Sequence, residues 1–382
     1  MKYQIFWNIL YYPVWLYIKL KFRYTFEKPK NLPENYIVLS NHTTDFDPLF
    51  VGLSFKRQMF FVGSEHISRW KGIYALAYKA VNFLLCPIMR KKGTVAASTV
   101  KEILKRTRKG RNVCMFAEGV RSWDGTGSPI LESTGKLIKT AKCGLLTYKI
   151  TGGYFASPMW SESGLRKGDI HGAPVNVYTK EQLEQMSVDE INALIKEDLY
   201  EDAYARQREN PCRYTGKALA KGLENLLFIC PECESHGTLN SAGDTVFCTE
   251  CGFKFRYDEY GMLRNAPYFT LRDMFAWQKE RVLENANNGH TYTAENTTLV
   301  KISNGVEKQV GSGTFSLGPD GIEIGDITLP FESITELAMH GKHALVFTAN
   351  GEYYEANITG NALKFMLLYN SRKKVNNGLF VS

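Results

Sequence analysis

The chain has no uninterrupted apolar stretch long enough for a bilayer, no low-complexity tract and no long internal repeat. These absences argue against an ordinary membrane-spanning helix, a repeat array and a disordered linker. Its apolar N-terminus lacks the small-residue cleavage site of a secretory leader. Cysteine is sparse, at 8 residues of 382. Cys86, Cys114, Cys143 and Cys212 are scattered, mostly in apolar runs, as small core residues are. A reducing, cytoplasmic setting is the expectation. Large charge excess is also missing: 47 Lys and Arg face 39 Asp and Glu, for +8. That balance suits anionic lipid, a phosphorylated substrate or nucleic acid, so the placement of charge must decide.

With 44% hydrophobic and 23% charged residues, the chain can bury a core, and its length implies two or three domains. Residues 1–28 are rich in Trp and Tyr. Asn8 and Pro13 interrupt them, and Lys19, Lys21 and Arg23 close them. Aromatics followed by cations make an interfacial anchor, which places the protein peripherally or monotopically on the cytoplasmic face of a membrane. A helix packed on the protein's own core is the alternative.

Short apolar strands are expected at Tyr36–Ser40, Met59–Val62, Asn112–Phe116, Leu145–Ile150 and Ala173–Tyr178. Helical spacing covers Ile73 to Leu84, a basic helix runs from Thr99 to Arg108, and a charged helical run spans Ser187 to Arg208. This alternation predicts an α/β domain over residues 29–222. Residues 223–262 hold the paired cysteines. Residues 263–382 begin with a helix over Thr270–Glu284 and turn β-like from Thr298. Several antiparallel strands closed by a helix at Ala362–Tyr369 resemble a pleckstrin-homology or GRAM-like module.

Two local patterns carry chemistry. In Ser40-Asn41-His42-Thr43-Thr44-Asp45-Phe46-Asp47, a carboxylate can orient His42 and stabilise its imidazolium, making it a general base. Asp47 reaches His42 only across a turn, because on a straight helix the two sit about 140° apart. Asp45 is a competing partner. Further on, Phe116-Ala117-Glu118-Gly119-Val120-Arg121-Ser122 follows a buried strand. Gly119 permits close approach to the backbone, and Arg121 offers a planar fork for phosphate. A salt-bridged turn is the structural alternative.

Taken in order, these motifs resemble the glycerolphosphate acyltransferase superfamily, most closely its 1-acylglycerol-3-phosphate acyltransferases, with their N-H-x4-D and F-P-E-G-T-R-S motifs. The resemblance covers Met1 to Leu219 and includes Leu85-Cys-Pro-Ile-Met-Arg90. It implies a mixed sheet flanked by helices. It also implies direct acyl transfer from acyl-CoA or acyl carrier protein to a lysophospholipid hydroxyl. His42 would be the base and Asp47 its orienting partner. Glu118 and Gly119 would seat the glycerol, and Arg121 and Arg90 would hold the phosphate. Ala117, Val120 and Thr147 depart from the family's proline, threonine and proline, and Gly63-Ser-Glu-His66 lacks its lysine. A non-catalytic lipid-binding or membrane-remodelling protein on the same fold is the alternative.

Cys230-x-x-Cys233 and Cys248-x-x-Cys251 have the spacing of a structural zinc ribbon, with a redox pair or disulfides as the alternatives. Such a site is worth ~10–16 kcal/mol, enough to fold a segment with no core of its own. Glu232, Glu234, Asp244, Glu250, Asp258 and Glu259 outnumber Lys254 and Arg256, so the ribbon repels a nucleic-acid backbone and no nucleic-acid partner is expected. Lys101, Lys105, Arg106, Arg108, Lys109 and Arg111, with Arg90, Lys91 and Lys92, form the main basic clusters. A solvated face and a contact for lipid or donor phosphates both fit them.

Overall fold

The computed structural model describes residues 2–65, 79, 82, 86–92, 97–303 and 306–376. The helix expected over Ile73 to Leu84 lies outside them, apart from Lys79 and Asn82. The chain divides into two compact units, the second comprising residues 92–95, 160–163 and 217–382.

The first unit is built on a seven-stranded mixed sheet. Its strands are β1 (Arg23–Phe26), β2 (Tyr36–Ser40), β3 (Met59–Ser64), β4 (Ile88–Arg90), β5 (Asn112–Phe116), β6 (Gly144–Thr151) and β7 (Asp169–Tyr178). They lie in the order β1-β7-β6-β2-β5-β3-β4, with β6 and β7 antiparallel and the other pairs parallel. The central β2 is buried at every residue, as a continuous apolar run in a parallel sheet must be. Helices α1 (Lys2–Lys21), α2 (Asp47–Leu53), α3 (Ala97–Thr107), α4 (Ser133–Ala141), α5 (Gly153–Ala156), α6 (Lys180–Gln185), α7 (Val188–Leu199) and α8 (Ala203–Glu209) accompany the sheet. Ile103, Ile138, Ile191 and Ile195 join Ile37, Leu39, Val113 and Leu145 in one core.

One helical expectation changes. The charged run Ser187 to Arg208 is two helices. Ser187 and Glu190 form a capping box that starts α7, and Asp202 accepts the amides of Tyr204 and Ala205 at 3.0 Å to start α8. Pro13 does not break α1. Pro13 and Ile9, whose carbonyl loses its partner, both lie on the exposed side of the helix, where water can compensate.

Helix α1 has two faces. Trp7 Nε1 donates to the Phe55 carbonyl at 3.2 Å and Tyr11 Oη to that of Leu53 at 2.8 Å, while Ile18 is buried. Ile5, Ile9, Tyr12, Leu16 and Leu20 follow one another at helical spacing along the other face and are exposed, Leu20 to 77%. No helix among the described residues is long and apolar enough to cross a membrane.

Within the second unit, β8 (Leu239–Ala242), β9 (Thr245–Cys248), β10 (Lys254–Tyr257) and β11 (Leu263–Arg264) form a small antiparallel sheet. Helix α9 (Leu271–Asn287) follows, its Gln278 side chain buried and bonded to the backbone of Leu226, Phe228 and Ile229. Then come β12 (Tyr292–Ser303), β13 (Val306–Leu317), β14 (Gly321–Ile324), β15 (Ile327–Pro330), β16 (Ile334–His340), β17 (Ala344–Ala349) and β18 (Glu352–Asn357). They make an antiparallel sheet in the order β15-β14-β13-β12-β18-β17-β16. Helix α10 (Leu363–Asn376) closes it, with Phe365 edge-on to Phe315 at 5.0 Å. A β-rich module closed by one helix is thus present. It begins at Tyr292, earlier than the β-like text suggested.

Candidate functional site

Because β2, β5, β3, β4 and β6 run parallel, their C-terminal ends share one edge of the sheet. In open α/β sheets this edge is where ligands bind. His42 leaves the end of β2, and Glu118, Gly119 and Arg121 leave the end of β5. Pro48, in the first turn of α2, turns the chain into that helix directly after Asp47.

Asp47, not Asp45, partners the histidine. Its Oδ2 lies 2.9 Å from His42 Nδ1, and its side chain is fully buried. The same carboxylate accepts the amides of Thr43 and Thr44 at 2.5 and 2.9 Å and their hydroxyls at 3.1 and 2.7 Å. An ionised carboxylate is acceptor-only, so these donors all suit the anion. The His42 ring stacks on Phe116 at 4.4 Å between centroids and is 21% exposed. With Nδ1 bound to Asp47, Nε2 is left as the basic nitrogen.

The two corners of the site, the loop after β2 and the loop after β5, are joined by the Glu118 side chain. Glu118 Oε1 accepts the His42 amide at 3.2 Å, and Oε2 accepts the Ser128 amide at 2.8 Å. Burial pushes the Glu118 carboxyl up to about 7, against those two amides, and the Asp47 charge adds to the rise. Gly119 has φ +69°, a conformation other residues adopt reluctantly, and nothing lies within 4 Å of where its side chain would start. Asn41 bridges to β6 by donating to the Ile150 carbonyl and accepting the Ile150 amide, both at 2.8 Å. At Gly153 a Cβ would stand 2.2 Å from Thr43 Oγ1, so glycine allows this close approach.

Arg121 folds back over the first corner. Its Nε donates to the Thr43 carbonyl at 3.2 Å, Nη1 to Asp45 Oδ2 at 2.8 Å, and Nη2 to the Ser157 carbonyl. Arg90 ends β4, three strands from β2 and so about 14 Å along the sheet. Ser157, which holds Arg121 Nη2, follows α5 and lies beyond the end of β6 in the chain. In the basic helix α3, Arg106 is structural: it lies over the Phe60 ring at 4.0 Å and bonds Glu102 at 2.8 Å. Lys101, Arg108, Lys109 and Arg111 are exposed.

Sequence reasoning missed Ser128 and Ser157, which act through backbone groups and carry no motif. It also missed the roles of Thr43 and Thr44, visible only as donors beside a carboxylate.

In the second unit the Sγ atoms of Cys230, Cys233, Cys248 and Cys251 all lie within 4.8 Å of one another. Cys230–Cys251 and Cys233–Cys248 are each 3.8 Å apart. A Zn–S bond of about 2.3 Å in a tetrahedron puts sulfurs about 3.8 Å apart, so the four thiols fit that ion.

The Acyltransferase family's sequence profile matches residues 23–151, which span β1 to β6 and both corners of the site. This segment is an acyltransferase domain. No curated protein sequence matches the chain. Among solved structures, it is similar to the 1-acyl-sn-glycerophosphate (LPA) acyltransferase PlsC from Thermotoga maritima, at 17% identity and a TM-score of 0.39, over 56% of this chain and 80% of that one.

Proposed function

We propose that the protein transfers a fatty acyl chain from a thioester donor, acyl-CoA or acyl carrier protein, to the free hydroxyl of a lysophospholipid at a membrane surface. The acceptor we propose is 1-acylglycerol-3-phosphate, which yields phosphatidic acid. The observation that carries this reading is the His42–Asp47 pair at the ligand-binding edge of the sheet, inside the segment matched by the acyltransferase profile.

His42 Nε2 takes the proton of the acceptor hydroxyl as its oxygen attacks the thioester carbonyl. The tetrahedral intermediate collapses, the C–S bond breaks, and the leaving thiolate recovers the proton from the imidazolium. Asp47 holds Nδ1–H and stabilises the imidazolium in between. Arg121 binds the acceptor phosphate and Gly119 lines the acceptor's path. Glu118 contributes to binding by fixing the loops of His42 and Ser128, since both its oxygens are spent on their amides. Arg90, at the end of β4, meets the donor's phosphate with the neighbouring basic residues, in place of the acceptor-phosphate role that the family resemblance implied.

The four-cysteine cluster would hold a structural zinc ion, which organises residues 223–262 and takes no part in the transfer. Residues 1–28 would dock on the bilayer through the exposed stripe of α1. Charge placement favours this. Residues 1–216 carry 32 Lys and Arg against 20 Asp and Glu, whereas residues 217–382 carry 15 against 19. The attraction to anionic lipid therefore belongs to the part that holds α1 and the site.

The test is a matrix of lysolipid acceptors against acyl-CoA and acyl carrier protein donors, with products read by mass spectrometry. Diacyl product formed by the wild type and lost in His42→Ala supports the reading; equal product from both proteins sinks it.

A further inference from the structure

The Nε and Nη2 sides of Arg121 face protein oxygens, the carbonyls of Thr43 and Ser157 and, at 3.4 Å, Ser157 Oγ. That leaves the Nη1 end for a ligand, and Nη1 is held by Asp45. The two partners differ sharply in exposure: the Arg121 side chain is 10% exposed, the Asp45 side chain 77%. A mostly buried, backbone-anchored cation is thus paired with a carboxylate standing in water on the loop between His42 and Asp47.

We propose that Asp45 is a specificity-determining residue that occupies the phosphate position on Arg121 and must be displaced by the acceptor's headgroup. The proposal rests on the acyltransferase reading, in which Arg121 receives that phosphate, and it accounts for a preference for phosphate-bearing acceptors over those without one. An exposed ion pair is weak, because water solvates the carboxylate and salt screens it. A phosphomonoester brings more negative charge and more acceptor oxygens than a carboxylate, so it competes well for the guanidinium. An acceptor without phosphate has nothing to exchange for Asp45 and leaves the pair closed. The Arg121–Asp45 pair therefore discriminates by headgroup charge, while the anchored sides of Arg121 keep the cation in place throughout.

The experiment measures binding apart from turnover, using glycerol 3-phosphate titrated into His42→Ala protein by calorimetry. Adding Asp45→Asn removes the competing charge and is expected to tighten binding about threefold, the scale of an exposed pair. In wild-type background the same substitution is expected to lower KM for lysophosphatidate by a similar factor and to leave KM for monoacylglycerol unchanged. Unchanged or weaker glycerol 3-phosphate binding in Asp45→Asn overturns the proposal, because Asp45 would then merely brace Arg121. So does an equal fall in KM for both acceptors. A control separates the two levels of the argument. If Arg121→Ala leaves glycerol 3-phosphate binding intact, the assignment of Arg121 fails with it. If Arg121→Ala abolishes binding and Asp45→Asn brings no gain, only the role of Asp45 fails.

Discussion

Glu118 holds the backbone of His42: one carboxylate oxygen accepts the His42 amide at 3.2 Å while the other holds Ser128. This explains how a half-buried carboxylate can sit beside a general base without being one. Its proton affinity is raised to about 7 from the ordinary 4.5, chiefly by burial. Because the folded value is the higher one, protonation favours the fold. That stabilisation is complete below about pH 4.5 and lost as pH rises through about 7. Glu118→Gln cannot titrate. Relative to the variant, wild-type stability is expected to fall by about 2 kcal/mol between pH 4.5 and 7.5, read from urea unfolding. A constant difference across that range would refute the assignment.

Asp47 should matter for both rate and fold. Asp47→Asn keeps the shape but replaces an acceptor with a donor toward some of the five groups it satisfies. Turnover is expected to fall about 10²–10⁴-fold, the range of general-base assistance. Asp47→Ala leaves those groups unpaired and should also cost about 3 kcal/mol of stability, visible in thermal melts. His42→Ala, by contrast, should lose turnover with its melting temperature unchanged within a few degrees.

Metal content offers an independent check on the second unit. Purified protein should carry one zinc ion per chain by elemental analysis, and Cys248→Ser should lose it. Chelation is expected to release the ion and to expose residues 223–262 to limited proteolysis. Protein that binds no zinc, or that keeps the segment protected without it, would contradict the ribbon.

Vesicle sedimentation addresses α1. Wild-type protein should bind vesicles containing anionic lipid, more weakly as salt rises. Ile9→Glu with Leu16→Glu, both on the exposed stripe, should weaken binding at least tenfold without unfolding the helix. Equal binding by the variant would move the membrane contact elsewhere.

The linear text was most informative where one local pattern dominates. Tyr36–Ser40 and Asn112–Phe116 are short apolar runs, and they form strands at those bounds. The cysteine spacing also announces a cluster, since two knuckles can converge without help from distant residues. Thr147 was legible only as a departure from a family's proline. In the fold it is buried at a register shift in β6, where a proline is tolerable, and instead bonds Asp198 at 2.7 Å. Asn176 and Tyr178 donate to the same carboxylate, at 2.7 and 2.9 Å. That network replaces the proline with hydrogen bonds drawn from three elements, and no single window of sequence contains it.

Residue types and their order already specified an alternation of strands and helices, a histidine with two carboxylates within reach, a Glu-Gly-x-Arg turn and four clustered thiols. Those features depend on neighbours along the chain. The choice of Asp47 over Asp45, the turning of Glu118 toward backbone amides and the pairing of Arg121 with Asp45 arose only on folding. Each depends on side-chain direction where two loops meet at the sheet edge, and hydrogen bonds are selective for geometry over a few tenths of an ångström. Spacing in sequence supplies candidates, and the packing of β2 against β5 and β6 selects among them.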